Sequence, residues 1–258
     1  MSTAIDNPFK KLCRLAGECI KRFNLINDGD RILVGLSGGK DSFALVHLLE
    51  HFRKAAPVNF EFVTATFDPG FPGFNAEKIA QVCKEKNWEH HTVKLDIPQI
   101  ITDKQMTGNP CMLCSRLRRG HLYKLAGICN CNKLALGQHL DDIIASFMMS
   151  LCRGQGLTSM APLVKPKNPD HPQVIRILAL APEKLISEYA STLALPADCG
   201  KCLYHEQLLS GDRALFGKLI NSLEKQIPEL RSNIARSLGH VELEHLLIEP
   251  EKKADDGI

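Results

Sequence analysis

Long apolar runs are missing from this 258-residue chain. Nothing approaches the roughly 20 consecutive apolar residues of a membrane helix, which argues against a membrane protein. The first residues, Met1-Ser2-Thr3-Ala4-Ile5-Asp6, carry no charged-then-apolar export pattern. Net charge is only +3, too small to predict nucleic-acid binding by itself. Aromatics are scarce, with one Trp and three Tyr, so no stretch of sequence offers a ready platform for stacking bases. Internal repeats and low-complexity tracts are absent as well. Together these absences predict a soluble, cytoplasmic protein with no membrane partner. At 44% hydrophobic and 24% charged, the chain is long enough to bury a sizeable core.

Cysteine, by contrast, is abundant: there are ten. Without an export pattern, metal or redox chemistry is a stronger reading than a disulfide framework. Cys13, Cys19, Cys83 and Cys152 sit among apolar residues in helix-like segments and are expected to be small buried hydrophobes. Cys129 and Cys131 are expected to be packing residues. That leaves two CxxC pairs, Cys111-Met112-Leu113-Cys114 and Cys199-Gly200-Lys201-Cys202. Each pair can offer two thiolates to one metal from a single turn. On spacing alone, a four-thiolate zinc site, an iron–sulfur cluster with three cysteine ligands and a redox dithiol all remain open.

Apolar runs of strand length alternate with helical periodicity. Asn7-Pro8 predicts a capped helix start, followed by Leu12, Leu15, Cys19, Ile20 and Phe23 at helical spacing. Strands are predicted over Asp30–Leu36, Phe60–Phe67, Thr92–Leu95, Lys133–Leu136 and Val174–Leu178. Helices are expected from about Asp41, over Glu77–Lys86, from near Cys114, up to about Cys152, and over Glu183–Thr192. Pro98, Gly108 and Pro110 mark a loop. The alternation predicts an α/β fold, a parallel sheet with helices on both faces. We divide the chain into an α/β domain with its N-terminal helix (1–195), a helical C-terminal element carrying the second CxxC (196–248) and a flexible tail (249–258).

Between the first strand and its helix lies Ser37-Gly38-Gly39-Lys40-Asp41-Ser42. Adjacent glycines let the backbone turn tightly and bring amide N–H groups to an anion, and the helix N-terminus faces the same point. Ser37 and Ser42 add hydroxyls, and Lys40 adds a charge that can follow a phosphate through a reaction. The spacing is neither that of a Walker A loop nor that of a dinucleotide fingerprint. Asp68 ends the second strand and Gly137-Gln138-His139-Leu140-Asp141-Asp142 follows the fourth, both at the sheet edge where ligands of open α/β folds collect. Asp68 could orient nucleotide or Mg2+, or simply serve the turn before Pro69. One of Asp141 and Asp142 could cap the next helix. Arg116, Arg118, Arg119 and Lys124 crowd the segment after the first CxxC and could bind RNA phosphates, or form a solvated helix face. Tyr123 is the one aromatic beside them.

Ser37 to Ser42 resembles the SGGxDS signature of the N-type ATP pyrophosphatases of the PP-loop class. The segment Cys111 to Gly120 closely resembles the CxxCSRLRRG stretch of the tRNA 2-thiocytidine synthetases. Pro72-Gly73-Phe74, Gly137 to Asp142 (against GHHxDD) and Leu195-Pro196 before the second CxxC follow in the same order, so the resemblance spans roughly residues 10 to 235. It departs at Gln138, where the family usually has histidine, and at Leu203-Tyr204-His205 after the second pair. The resemblance implies cleavage of ATP between its α and β phosphates to adenylate the C2 oxygen of a tRNA-loop cytidine. Asp41 would help to hold Mg2+, and Ser37, Gly38, Gly39, Lys40, Ser42, Asp68, Gly137, His139 and Asp142 would line the nucleotide site. It further implies a [4Fe-4S] cluster on Cys111, Cys114 and Cys202, with Cys199 left to handle sulfur. A sulfur donor such as a cysteine desulfurase and a homodimer are also implied. The rival expectations are a PP-loop ligase or amidotransferase with structural zinc, and a nucleotide- or RNA-binding protein without turnover.

Overall fold

The computed structural model describes residues 7–103, 110–193, 195, 204 and 211–247. Cys199 and Cys202, and the tail 249–258, lie outside the described residues. The order is α1 (Pro8–Phe23), β1 (Asp30–Gly35), α2 (Lys40–Ala55), β2 (Phe60–Asp68), α3 (Ala76–Glu85), β3 (His90–Lys94), α4 (Ile97–Asp103), α5 (Pro110–Ile128), β4 (Lys133–Ala135), α6 (Leu140–Cys152), β5 (Leu163–Val164), β6 (Gln173–Ile175) and α7 (Glu183–Ala190). Two C-terminal helices follow, α8 (Asp212–Glu224) and α9 (Leu230–Leu238), then a 3-10 turn over Leu243–His245.

The strands form one sheet in the order β3-β2-β1-β4-β6-β5. All pairs are parallel except β5 with β6, so the sheet is parallel with an antiparallel edge. Alternation along β1 feeds two cores: Ile32 and Val34 point into one, Leu33 into the other. The first core is closed by α1, α2 and α7 through Leu12, Leu45, Leu48 and Ile186; the second by α5 through Leu122, Leu125 and Ala126. Helices therefore cover both faces, as a parallel sheet requires. After β1 the chain winds outward through β2 to β3, then returns to place β4 on the other side of β1. That reversal opens a crevice beyond the carboxyl ends of β1 and β4.

At the opposite ends of these two strands, a buried ion pair joins Lys133 Nζ to Asp30 Oδ2 at 2.5 Å. Lys133 also donates to the Leu25 carbonyl, and the Asp30 carboxylate accepts from Asn132 Nδ2 and the Asn27 N–H. Asn7 caps α1 as predicted, accepting from the Phe9 N–H at 2.9 Å. Elsewhere the expected elements need correcting. The segment containing Pro98 is helix α4, and α5 starts at Pro110 rather than near Cys114. A two-residue strand, β5, was not expected, and the strand predicted over Val174–Leu178 is Gln173–Ile175. Cys152, expected to be buried, is exposed at the end of α6, whereas Cys19, Cys83 and Cys131 are buried.

Candidate active site

The phosphate-loop candidate is built as its residue types demand. Gly38 has φ +84°, a left-handed conformation that side chains rarely adopt. Gly39 then caps α2 in extended conformation. The two serines tie the loop together: Ser42 Oγ donates to the Gly39 carbonyl at 2.8 Å and accepts from the Ser37 N–H at 3.1 Å, while Ser37 Oγ lies 3.2 Å away. Lys40 Nζ donates to Asp41 Oδ1 and to Glu183 Oε1, both at 2.9 Å. Burial works against the ammonium, but these two carboxylates outweigh it and raise its pKa above the ordinary lysine value. Lys40 is thus a fixed cation beside the loop.

The turn after β4 presses against this loop. A Cβ on Gly137 would lie 3.2 Å from Asp41 C and Ser42 N, so any side chain there would make one of the two backbones give by a few tenths of an ångström. Next, His139 caps α6, its N–H donating to Asp142 Oδ2 at 3.2 Å. His139 is buried at 6% exposure, and its Nδ1 has no hydrogen-bond partner among the described residues. Asp141 accepts from the Glu183 N–H and from Arg231 Nε, each at 2.7 Å, and Asp142 faces Arg213 at 3.4 Å. The two carboxylates therefore bind α7, α8 and α9 to the turn. Gln138 accepts from buried Arg176 at 2.6 Å, and Arg176 also donates to the Ala161 carbonyl. Burial first, then the neighbouring Arg119 charge, lowers the Arg176 pKa. Asp68 closes its own turn by accepting from the Gly70 N–H at 2.9 Å and does not line the crevice.

The crevice is a cleft of about 610 Å³. Ser37, Asp41 and Ser42 line it from the loop, and Gly137 and Gln138 from the facing turn. Its far wall is α5. Cys111, Cys114, Ser115, Arg118, Arg119 and Leu122 recur at three- and four-residue steps, and all six face the cleft. Starting the helix at Pro110 puts both cysteines in its first turns, half-buried. The four-residue basic cluster is thereby divided: Arg118 and Arg119 line the cleft, whereas Arg116 and Lys124 are exposed on other faces. Tyr123 turns away and packs on His171, with ring centroids 5.0 Å apart. Sequence reasoning missed Arg176 and Glu183, whose roles depend on partners 38 and 143 residues away. It also missed the aromatic side of the cleft, where Phe67, Phe71, Phe74 and Tyr204 gather.

The PP-loop domain family matches residues 10–196. A tRNA-cytidine(32) 2-sulfurtransferase of Geobacter sulfurreducens is 39% identical over 245 residues, covering 94% of this chain and 95% of the relative. The protein of that name in Syntrophotalea carbinolica is 37% identical, covering 94% and 93%. The chain belongs to the tRNA-cytidine(32) 2-sulfurtransferase family. It is also similar in structure to the U34-tRNA thiolase NcsA from Methanococcus maripaludis, solved with its [4Fe-4S] cluster. The TM-score is 0.71 at 25% identity, covering 91% of this chain and 80% of that one. The run Ser37 to Ser42 lies inside the matched PP-loop domain.

The thiol pair fits such a cluster by chemistry: two cysteines one helical turn apart can reach one cluster, and Arg118 and Arg119 offset thiolate charge. Among the described residues no group of three or more His, Cys, Asp or Glu is placed to hold a metal ion. Among the described residues, no helix is long and apolar enough to cross a membrane.

Proposed function

We propose that this protein is an ATP-dependent tRNA sulfurtransferase that adenylates the C2 oxygen of a loop cytidine and exchanges it for sulfur. One observation carries the reading: the Ser37–Ser42 loop and the thiol pair line a single cleft, and two arginines line it with them. ATP bound at Ser37 to Ser42 would present its α-phosphorus towards the cleft. Transfer of that phosphorus to the C2 oxygen expels pyrophosphate, and the later departure of AMP carries the oxygen away. The Gly38–Gly39 turn, the α2 N-terminus and Lys40 would stabilise negative charge on the phosphates, and Asp41 would share Mg2+ with the leaving pyrophosphate. Arg118 and Arg119 can clamp RNA phosphates and hold the loop over the cleft.

Cys111 and Cys114 would hold the cluster. Cys202 would supply the third ligand, as the resemblance of the two CxxC segments implies. When bound, a [4Fe-4S] cluster with one open iron supplies a deprotonated sulfur nucleophile at neutral pH. Cys199 is then the spare thiol for accepting sulfur from a donor such as a cysteine desulfurase, and a homodimer is the expected assembly. The test is iron and acid-labile sulfide content after anaerobic purification, followed by thiolation of tRNA. About four irons and four sulfides per chain, lost together with thiolation in Cys111→Ala, are expected. Zinc in place of iron would overturn the sulfur-transfer step and leave an ATP-dependent ligase.

A further inference from the structure

The cleft has a fourth side that the proposed chemistry does not use. Phe71-Pro72-Gly73-Phe74 forms a tight turn after β2, closed by the Phe74 N–H donating to the Phe71 carbonyl at 3.0 Å. Gly73 has φ +81°, as the third residue of a Pro-Gly type II turn requires. The turn brings Phe71 and Phe74 to one side, where Tyr204 meets Phe71 edge to face, with centroids 5.9 Å apart and planes at 79°. Phe67 and Phe71 are buried, but Phe74 and Tyr204 are only half-buried, and all four line the cleft. Cys114 packs against the same cluster.

We propose that Phe71, Phe74 and Tyr204 form the stacking wall that receives the splayed-out pyrimidine of the RNA loop. The inference rests on the sulfurtransferase reading. An aromatic cluster built only for stability would close over its rings, whereas this one leaves two rings open to the cleft beside a pair of guanidiniums. Rings next to arginines are the combination that recognises an unstacked base with its phosphates. The position favours the RNA base over the adenine of ATP. The wall is contiguous with Cys114, and the base that takes sulfur must lie against the thiol side.

The test uses the full-length, anaerobically purified protein and an RNA hairpin with pyrrolocytidine at the loop cytidine. Binding is followed by quenching of that base in the presence of a non-hydrolysable ATP analogue. Wild type and Tyr204→Phe should quench the base. Tyr204→Ala, Tyr204→Leu and Phe74→Ala should lose the quench and bind the hairpin roughly 5- to 100-fold more weakly, the range that one base–aromatic stack implies. Affinity for the analogue should stay unchanged, which also reports that the variants are folded. Wild-type quenching in all three truncations would overturn the wall alone. Weakened analogue binding with quenching retained would assign the rings to adenine and overturn it too. A wild-type protein that binds the analogue but no hairpin would remove the sulfurtransferase reading, and the wall with it.

Discussion

Gly137→Ala tests whether the contact between two loops sets the geometry of the nucleotide site. Gly137 is not in the left-handed region, so alanine strains nothing in its own backbone. Its methyl group would instead meet Asp41 C and Ser42 N at 3.2 Å and Asp41 O at 3.3 Å. All three are backbone atoms at the start of α2, and Ser42 is 5% exposed, so no flexible side chain can swing aside. The turn or the phosphate loop must shift by a few tenths of an ångström. Overpacking of this kind costs about 1–3 kcal/mol. In a chain of this size each kcal/mol lowers Tm by about 2–4 °C, so a fall of roughly 2–12 °C is expected. The catalytic cost should be larger, because a displacement near 1 Å at a reacting centre can cost about 100-fold. A fraction of that shift should slow pyrophosphate release about tenfold or more. Calorimetry and a pyrophosphate assay at saturating ATP measure the two effects. Wild-type Tm together with a wild-type rate would refute the close-approach argument.

The complementary substitution is Gly217→Ala on α8, where the methyl meets nothing within 4 Å among the described residues; it should raise stability by about 0.5–1 kcal/mol in a urea melt. Lys133→Met leaves Asp30 buried without its cation and should cost about 3–5 kcal/mol by the same melt. A loss below 1 kcal/mol would show that Asn27 and Asn132 suffice for that carboxylate. Burial, reinforced by the neighbouring His91, lowers the His90 pKa to about 4. An unfolded chain takes up that proton near pH 6.5, so stability is present above pH 6.5 and is lost as pH falls towards 4. The urea midpoint should therefore be lower at pH 5 than at pH 7.5, and the difference should shrink in His90→Gln.

Local features of this protein are legible in its sequence because their partners are near neighbours. The turn between β1 and α2 needs only glycine φ, two hydroxyls and a following helix, all signalled within Ser37 to Ser42. Asn7-Pro8 reads correctly as a helix start because both the cap and proline's tolerance of the first turn are local rules. The same rule explains two errors. Pro98 and Pro110 read as loop markers, yet each sits in the first turn of a helix, where a missing N–H costs nothing. The division of the basic cluster was also available: counting in steps of three and four from Cys111 and Cys114 selects Arg118 and leaves out Arg116. What no count along the chain could supply is the aromatic wall, since Phe71 and Tyr204 meet only through tertiary folding. A count of aromatics does not report that three phenylalanines and one tyrosine meet at one cleft when the fold converges them.

The acidic turn shows how magnitude separates roles that a motif merges. In sequence one of Asp141 and Asp142 reads as a helix cap, and in the fold Arg231, Arg213 and two backbone N–H groups occupy both carboxylates. Asp141 also accepts from the Glu183 N–H, and the Glu183 side chain accepts from Lys40, so a chain of polar contacts runs from the Ser37–Ser42 loop to α9. Part-exposed pairs of this kind contribute about 0–1 kcal/mol each. Burying one Ile or Leu side chain contributes about 1.5–3 kcal/mol. Ile220 at 3% exposure, packed with Leu140, Ile144 and Ala145, therefore does more to hold α8 on α6 than any of the arginines. The ion pairs and the close approach share one turn: Asp141 and Asp142 hold Arg231 and Arg213 of the C-terminal helices, and Gly137 abuts the backbone of Asp41 and Ser42.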